Sequence, residues 1–198
     1  MAVNETAAYA DLSAVAMLRA DNDEEWREGS AEPEVARLLA ALLRANATRN
    51  ALEVGCFDGY TSRRLIDALS TLPWETSLTL CEIDPVRAEA LKERIGIRRN
   101  VKVVIANSLD LIPTLPAESL DFVWLDGNHE AQHVLFELHA LLSRMAPGGI
   151  IAGHDVFGVC QLERVFAHVA SQCGWRSMSL DLPRLGPAGG IGLLQRPR

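Results

Sequence analysis

The chain has 198 residues, of which 48% are hydrophobic, and this is enough for one domain with its own core. A formal net charge of −7 predicts no basic surface for nucleic acid or for an anionic membrane, so a small-molecule ligand is favoured. No apolar run reaches the roughly 20 residues that a membrane helix needs, and the acidic N-terminus lacks the pattern of a secretory signal. The four cysteines form no C-x-x-C pair, which predicts a reduced, cytoplasmic protein.

From Pro33 onward, apolar strand patterns alternate with amphipathic helix patterns, and Pro33 itself suits the first turn of a helix. The predicted strands are 50–54, 77–83, 100–106, 120–126, 148–155, 176–182 and 189–196. The predicted helices that follow the first one are 61–69, 85–95, 108–115, 130–145 and 162–175. The early strands are apolar enough to be buried on both faces of a parallel sheet. The last two strands lack a helix between them and predict an antiparallel pair at one edge.

In such α/β folds, ligands bind beyond the carboxyl ends of the strands. The loop after the first strand reads "EVGCFDGYTS", and Gly55 and Gly59 permit a tight turn and a close approach of the backbone to a ligand. Phe57 stands where the dinucleotide fingerprint requires its middle glycine, and Glu53 would repel a pyrophosphate. Glu53 would instead attract a cationic ligand, such as a sulfonium that also carries an ammonium group.

Glu82 ends the second predicted strand, where nucleotide-binding folds place an acid on the ribose hydroxyls. The alternative is a solvated acid at a strand end. Because the glycine loop lies upstream, the ribose interpretation is preferred.

The stretch from His129 to His133 reads H-E-x-x-H, which is the pattern of zinc peptidases. A zinc peptidase needs both histidines on one face of a helix and a third ligand downstream. Here the motif directly follows a buried strand, so His129 is expected at the entrance of the helix. No H-x-x-G-x-x-H extension follows, and we interpret the spacing as accidental.

Five motifs in order resemble those of one family: "LEVGCFDGYTS", "TLCEIDP", "VKVVIANSLDLIPTL", "DFVWLDGNHE" and "LLSRMAPGGIIAGHDV". The chain resembles the class I S-adenosylmethionine-dependent methyltransferases of the catechol and caffeoyl-CoA O-methyltransferase type. It is also similar to small bacterial methyltransferases that share "DG-x-H" and a terminal "HD". The resemblance implies a Rossmann-like α/β fold with helices on both faces of a seven-stranded sheet in the order 3-2-1-4-5-7-6, its last strand antiparallel. We expect one domain over 1–198, with a helical or lid segment over 1–30 and the catalytic core over 31–198.

The resemblance also implies which residues bind S-adenosylmethionine. The methionine part would contact Glu53, Gly55, Phe57 and Gly59, with Thr61 near its carboxylate. The adenosine part would contact Glu82 through the ribose and Ile83, Asn107 and Ser108 through the base, with Asp126 close to the methyl group. Leu109 stands where such enzymes often have a polar adenine contact, so an apolar contact is expected there.

In the resembled enzymes, three residues at the positions of Asp126, His154 and Asp155 hold a divalent cation, Mg²⁺ or Mn²⁺. This chain departs from their pattern because its pair reads His-Asp, and imidazole suits Mn²⁺, Fe²⁺ or Zn²⁺ better than Mg²⁺. Either the metal differs, or His154 acts as a base without one. His129 replaces a lysine general base and could accept a proton near neutrality. The alternative for His129 is a solvated histidine at a helix start, with Asn128 as the helix cap.

The sequence therefore predicts methyl transfer to a small-molecule acceptor, most readily to a hydroxyl group, with Asp126, His129 and His154 as catalytic residues. Two other classes stay open at this point: an NAD(P)-dependent oxidoreductase, and a catalytically silent protein that binds an adenosyl ligand. The segments after the fourth and fifth strands look short. The acceptor pocket is accordingly expected to be open or completed by a partner subunit in a homodimer.

Overall fold

The computed structural model describes residues 25–158, 160–182 and 188–198. Its strands are β1 Asn50–Val54, β2 Ser77–Glu82, β3 Val101–Ile105, β4 Leu120–Leu125, β5 Met145–Gly158, β6 Arg176–Leu180 and β7 Ala188–Gln195. Its helices are α1 Pro33–Ala45, α2 Tyr60–Ser70, α3 Pro85–Ile95, α4 Ser108–Leu111, α5 Ala131–Leu142 and α6 Leu162–Cys173, with a 3₁₀ turn at Ile112–Thr114. The alternation predicted from the hydrophobic pattern is thus present along the described chain.

The seven strands form one sheet in the order β3-β2-β1-β4-β5-β7-β6. Strands β1 to β5 run parallel, and β7 is antiparallel to both β5 and β6. This confirms the predicted order and the antiparallel pair at one edge. It also brings the carboxyl ends of β1, β2, β4 and β5 to one side of the sheet.

The sheet separates two apolar cores, one on each face. Helices α1, α2 and α3 cover one face, with Leu39, Leu65 and Leu91 in its core. Helices α5 and α6 cover the other, with Leu138 and Phe166 in its core. Burial on both faces explains why the parallel strands read as continuous apolar runs rather than alternating ones.

The segment around Met145 differs from the prediction. Helix α5 ends at Leu142 instead of continuing to residue 145, and Met145 already pairs with Leu120 as the first residue of β5. Strand β5 also continues to Gly158, because its far end pairs with the start of β7. The register shifts between His154 and Phe157, at the point where candidate site residues leave the sheet.

The four cysteines are all free, and Cys56 and Cys81 are buried, as expected for thiols that pack like small hydrophobic groups. Over the ranges that the structure describes, no helix combines the length and the apolar character needed to cross a membrane.

Candidate active site

A cavity of about 900 Å³ opens at the carboxyl ends of the parallel strands, within the size range of small-molecule sites. The predicted site residues that line it are Gly55, Phe57, Glu82, Ile83, Asn107, Ser108, Asp126, His129, His154 and Asp155. The predicted site residues that do not line it are Glu53, Gly59, Thr61 and Leu109. The structure therefore brings most of the predicted set together and places four members behind or beside the cavity wall.

The loop after β1 requires glycine at two positions. Gly55 has φ of +80°, and a Cβ atom there would collide with the backbone of Asp126 and Gly127 at the end of β4. Gly59 also has φ of +80°, precedes α2, and would drive a Cβ atom into the side chain of Leu91. The first glycine lets the loop pass close to the end of β4, and this proximity shapes the floor of the cavity.

Glu82 supports the same loop from the end of β2. Its Oε2 accepts hydrogen bonds from the backbone N–H groups of Cys56, at 3.0 Å, and Phe57, at 3.2 Å, and its Oε1 accepts from that of Asp84 at 3.0 Å. A carboxylate has about four acceptor positions, so capacity is left for a ligand hydroxyl. Glu82 lies in the cavity wall and is not the solvated strand-end acid of the alternative interpretation.

Glu53 is a buried acid without a hydrogen-bond partner. Its side chain lies behind the glycine loop at 0% exposure, and neither carboxylate oxygen has a well-formed hydrogen bond among the described residues, although the Ser62 hydroxyl is a neighbouring donor. Burial raises the pKa of Glu53 well above its ordinary value, Asp126 and Glu82 add to this effect, and Ser62 opposes it. An unpaired buried carboxylate costs free energy, so a nearby cation would stabilise the charged form of Glu53.

His154 lies between two carboxylates. Its Nδ1 is 3.1 Å from Oδ1 of Asp126, and its Nε2 is 2.9 Å from Oε2 of Glu32, which precedes α1. Burial lowers the pKa of His154, but the charge of Asp126 and the hydrogen bonds to Asp126 and Glu32 outweigh burial and raise the pKa well above its ordinary value. A proton on either ring nitrogen therefore has a carboxylate acceptor, Glu32 at Nε2 and Asp126 at Nδ1.

His129 approaches the same point from the loop after β4. Its Nε2 lies 3.6 Å from Oδ1 of Asp126 and 3.8 Å from Oδ2 of Asp155, and it has no hydrogen-bond partner in the described structure. Burial lowers the pKa of His129, but the nearby Asp126 carboxylate, with the charge of Asp155, raises it above its ordinary value. Asn128 does not cap α5, since its side chain accepts from the N–H of Glu130 before the helix begins.

This arrangement fits a divalent cation. One ligand atom each from Asp126, His129 and His154 lies within 4.8 Å of the other two, and Oδ1 of Asp155 lies 3.6 Å from Nδ1 of His154. Carboxylate oxygens and imidazole nitrogens suit Mn²⁺, Fe²⁺ or Zn²⁺. The contact between Nε2 of His154 and Glu32 resembles the outer carboxylate that orients a metal-binding histidine.

The segment just before α1 forms part of the cavity wall. Trp26, Gly29, Ser30 and Glu32 line the cavity, and the hydroxyl of Ser30 donates to Asp58 in the glycine loop at 2.8 Å. The rest of the predicted lid segment, residues 1–24, lies outside the described residues. Sequence reasoning missed Glu32 because it is 122 positions from His154, and no local pattern links the two.

The two histidines of the H-E-x-x-H stretch make separate contacts. His129 joins the cluster around Asp126, whereas Nε2 of His133 lies 3.2 Å from Oε1 of Glu137 on α5. The hydroxyl of Ser108 donates to the same Glu137 oxygen at 2.5 Å. Sequence reasoning assigned Glu137 no role, although an acid on the apolar face of a helix was a usable signal.

The sequence is similar to one protein-family model and to two named proteins. Residues 52–156 match a protein-family model described as "Methyltransferase domain", which is more than half of the chain. The O-methyltransferase imqG of Aspergillus flavus is 30% identical over 125 residues, which are 58% of this chain and 49% of that protein. A catechol O-methyltransferase of Mycobacterium tuberculosis is 27% identical over 158 residues, which are 73% of this chain and 70% of that protein.

Among solved structures, the O-methyltransferase TomG of Streptomyces achromogenes, crystallised with SAM, superposes with a TM-score of 0.72. It is 20% identical in sequence, and the superposition covers 94% of this chain and 89% of that one. This likeness concerns the fold. The chain spans about half of the length of the Aspergillus relative.

Proposed function

The chain belongs to the methyltransferase-domain family, and we propose that it transfers a methyl group from S-adenosylmethionine to a hydroxyl group of a small molecule. The observation that carries the proposal is the unpaired acid Glu53 behind the glycine loop, with a second acid, Glu82, at the next strand end. The first would attract the ammonium group of the cofactor and the second would bind its ribose hydroxyls. S-adenosylmethionine carries both groups, and its sulfonium suits an acidic cavity.

The reaction is a displacement in which an acceptor oxygen attacks the methyl carbon and the sulfur leaves with its electron pair. The sulfonium is already activated, so the protein must position the acceptor and take its proton. His129 is the better base of the two histidines, since its Nε2 is unpartnered in the described structure and its side chain lines the cavity. Both ring nitrogens of His154 already face carboxylates.

Asp126 and His154, through Nδ1, would hold a divalent cation. Asp155, 3.6 Å from that nitrogen, would be its third ligand in place of His129, and this would leave Nε2 of His129 for the proton. Such a cation would lower the pKa of the acceptor hydroxyl and fix its orientation. Glu32 contributes by keeping the proton of His154 on Nε2, so that Nδ1 points inward.

A methyl-transfer assay tests the proposed activity. With S-adenosylmethionine labelled in its methyl group, we expect label to appear on members of a panel of catechols, other phenols and hydroxy acids. Amines of similar size serve as the comparison, and label confined to amines would contradict O-methylation. Complete absence of transfer, together with tight binding of S-adenosylmethionine, would favour a catalytically silent protein that binds an adenosyl ligand.

The family match and Phe57 in the glycine loop count against an NAD(P)-dependent oxidoreductase.

Removal of divalent ions tests the metal assignment. We expect EDTA to lower turnover and added Mn²⁺ to restore it more effectively than Mg²⁺, because the donor set includes an imidazole nitrogen. Full turnover in EDTA would contradict a metal role.

A cytoplasmic location and completion of the acceptor pocket by a second copy of the chain also remain predictions.

A further inference from the structure

The cavity holds a second buried polar group, away from the histidine cluster. We call Ser108, His133 and Glu137 the Glu137 cluster; all three line the cavity, and the side chain of Glu137 is only 1% exposed. The hydroxyl of Ser108 and Nε2 of His133 both contact Oε1 of Glu137, at 2.5 and 3.2 Å. The other carboxylate oxygen, Oε2, is therefore the acceptor that a ligand can use.

An acid at this position needs an explanation. On α5, the neighbouring buried positions are Val134, Leu138 and Leu141, so Glu137 lies on a face that is otherwise apolar. Burial raises the pKa of Glu137, while Ser108 and His133 favour its charged form. A leucine would fill the same place without the cost of burying an acid, which indicates a role in ligand binding.

The Glu137 cluster lies on the side of the cavity where the base of a nucleoside would reach. Glu82 at the end of β2 pairs with Ile105 at the end of β3. Ser108, which contacts Glu137, begins α4 just after β3. Glu82 is the proposed ribose contact, and Asn107 lines the cavity beside Ser108. A base attached to a ribose at Glu82 would therefore point its outer edge toward Glu137.

Leu109 was expected to contact adenine, and it cannot supply a polar contact in this structure. It does not line the cavity, and its backbone N–H donates to the side chain of Asn107 at 2.9 Å. The edge of the base must find its hydrogen-bond partner elsewhere, and Glu137 is the buried acid available there.

We propose that Glu137 accepts a hydrogen bond from the exocyclic amino group of the cofactor's adenine and so selects adenine over hypoxanthine. This inference rests on the proposed function. Adenine presents an amino donor at its C6 position, whereas hypoxanthine presents a carbonyl acceptor there and has its donor at N1. In the charged form that Ser108 and His133 favour, Glu137 only accepts, so at C6 the adenine ligand forms a hydrogen bond and the hypoxanthine ligand sets two acceptors against each other.

Calorimetric titration of the wild-type protein with S-adenosylhomocysteine and with S-inosylhomocysteine tests the inference. We expect the inosyl ligand to bind on the order of tenfold or more weakly, as when a buried polar group loses its partner. Equal dissociation constants would overturn the inference and leave the proposed function standing. Failure of both ligands to bind would overturn the proposed function, and this inference with it.

A pair of matched variants separates Glu137 from the rest of the cavity. In Glu137→Gln the side-chain amide can donate as well as accept, so the ratio of the two dissociation constants should fall toward one. Glu130→Gln makes the same change at an exposed acid just before α5 that does not line the cavity, and should keep the wild-type ratio. An unchanged ratio in a folded Glu137→Gln protein would refute the assignment. Should that variant unfold, the wild-type ratio still decides.

Discussion

Replacing His129 with alanine is expected to lower kcat by on the order of a hundredfold or more, the usual contribution of a positioned base. The His129 side chain lines the cavity, and its Nε2 has no hydrogen-bond partner in the described structure and lies 3.6 Å from Oδ1 of Asp126. The variant should bind S-adenosylhomocysteine as wild type does, because His129 is not among the proposed cofactor contacts. Steady-state kinetics with saturating cofactor and acceptor measure the effect.

Asp126→Ala is the informative companion to His129→Ala. Asp126 contacts both His129 and His154, so its loss should also lower kcat by on the order of a hundredfold. The two variants should differ in metal binding: His129→Ala should retain Mn²⁺, and Asp126→Ala should lose it. Loss of Mn²⁺ from His129→Ala would make His129 a ligand rather than the base. Full turnover in either variant would contradict its role.

Glu53→Gln is expected to have opposite effects on stability and on ligand binding. An unpartnered buried carboxylate is unfavourable in the folded protein, and glutamine has the same shape without the charge. The free energy of unfolding without ligand should therefore rise by about 1–3 kcal/mol near neutral pH. Affinity for S-adenosylhomocysteine should fall on the order of tenfold, because the buried acid that is proposed to attract its ammonium group from behind the glycine loop loses its charge.

The sign of the pH dependence follows from the raised pKa of Glu53. Below the ordinary glutamate pKa, the carboxyl is neutral in both folded and unfolded protein and contributes no difference. As pH rises above that value, only the unfolded protein releases the proton, so wild-type stability falls until the folded pKa is reached. Urea unfolding at about pH 4 and about pH 8 should show a gap between variant and wild type that widens with pH.

Glu93→Gln, at an exposed position of α3, is the matched control for Glu53→Gln. It should change neither stability nor ligand affinity beyond a few tenths of a kcal/mol. A Glu53→Gln protein that is less stable than wild type and binds the ligand equally well would contradict the role given to Glu53.

Much of the fold could be predicted because its signals are local. Apolar runs separated by amphipathic helices predict a parallel sheet, and the missing helix before the last strand predicts the antiparallel edge. Adjacency of strand ends also predicts that Asp126 meets His154, which the 3.1 Å contact between them confirms. The end of α5 was placed three residues too late, because the bulged start of β5 at Met145 depends on pairing with Leu120.

The remaining features of the site depend on tertiary contacts. Glu32 reaches His154 only because the segment before α1 passes over the end of β5, and nothing near Glu32 in the sequence predicts this contact. Thr61 and Leu109 were placed by analogy of position; each lies near the start of a helix, and neither lines the cavity. Glu137 lies one turn beyond His133, and only the structure shows that both meet Ser108.

Binding of the adenosyl ligand itself is the most direct test of the whole account. Thermal unfolding of the wild-type protein with saturating S-adenosylhomocysteine, S-adenosylmethionine or NAD compares the candidate ligands under one set of conditions. The two adenosyl ligands should raise Tm in proportion to RT ln(1 + [L]/Kd), and NAD should leave it unchanged. Stabilisation by NAD alone, or by none of the three, would contradict a cavity built for a sulfonium donor.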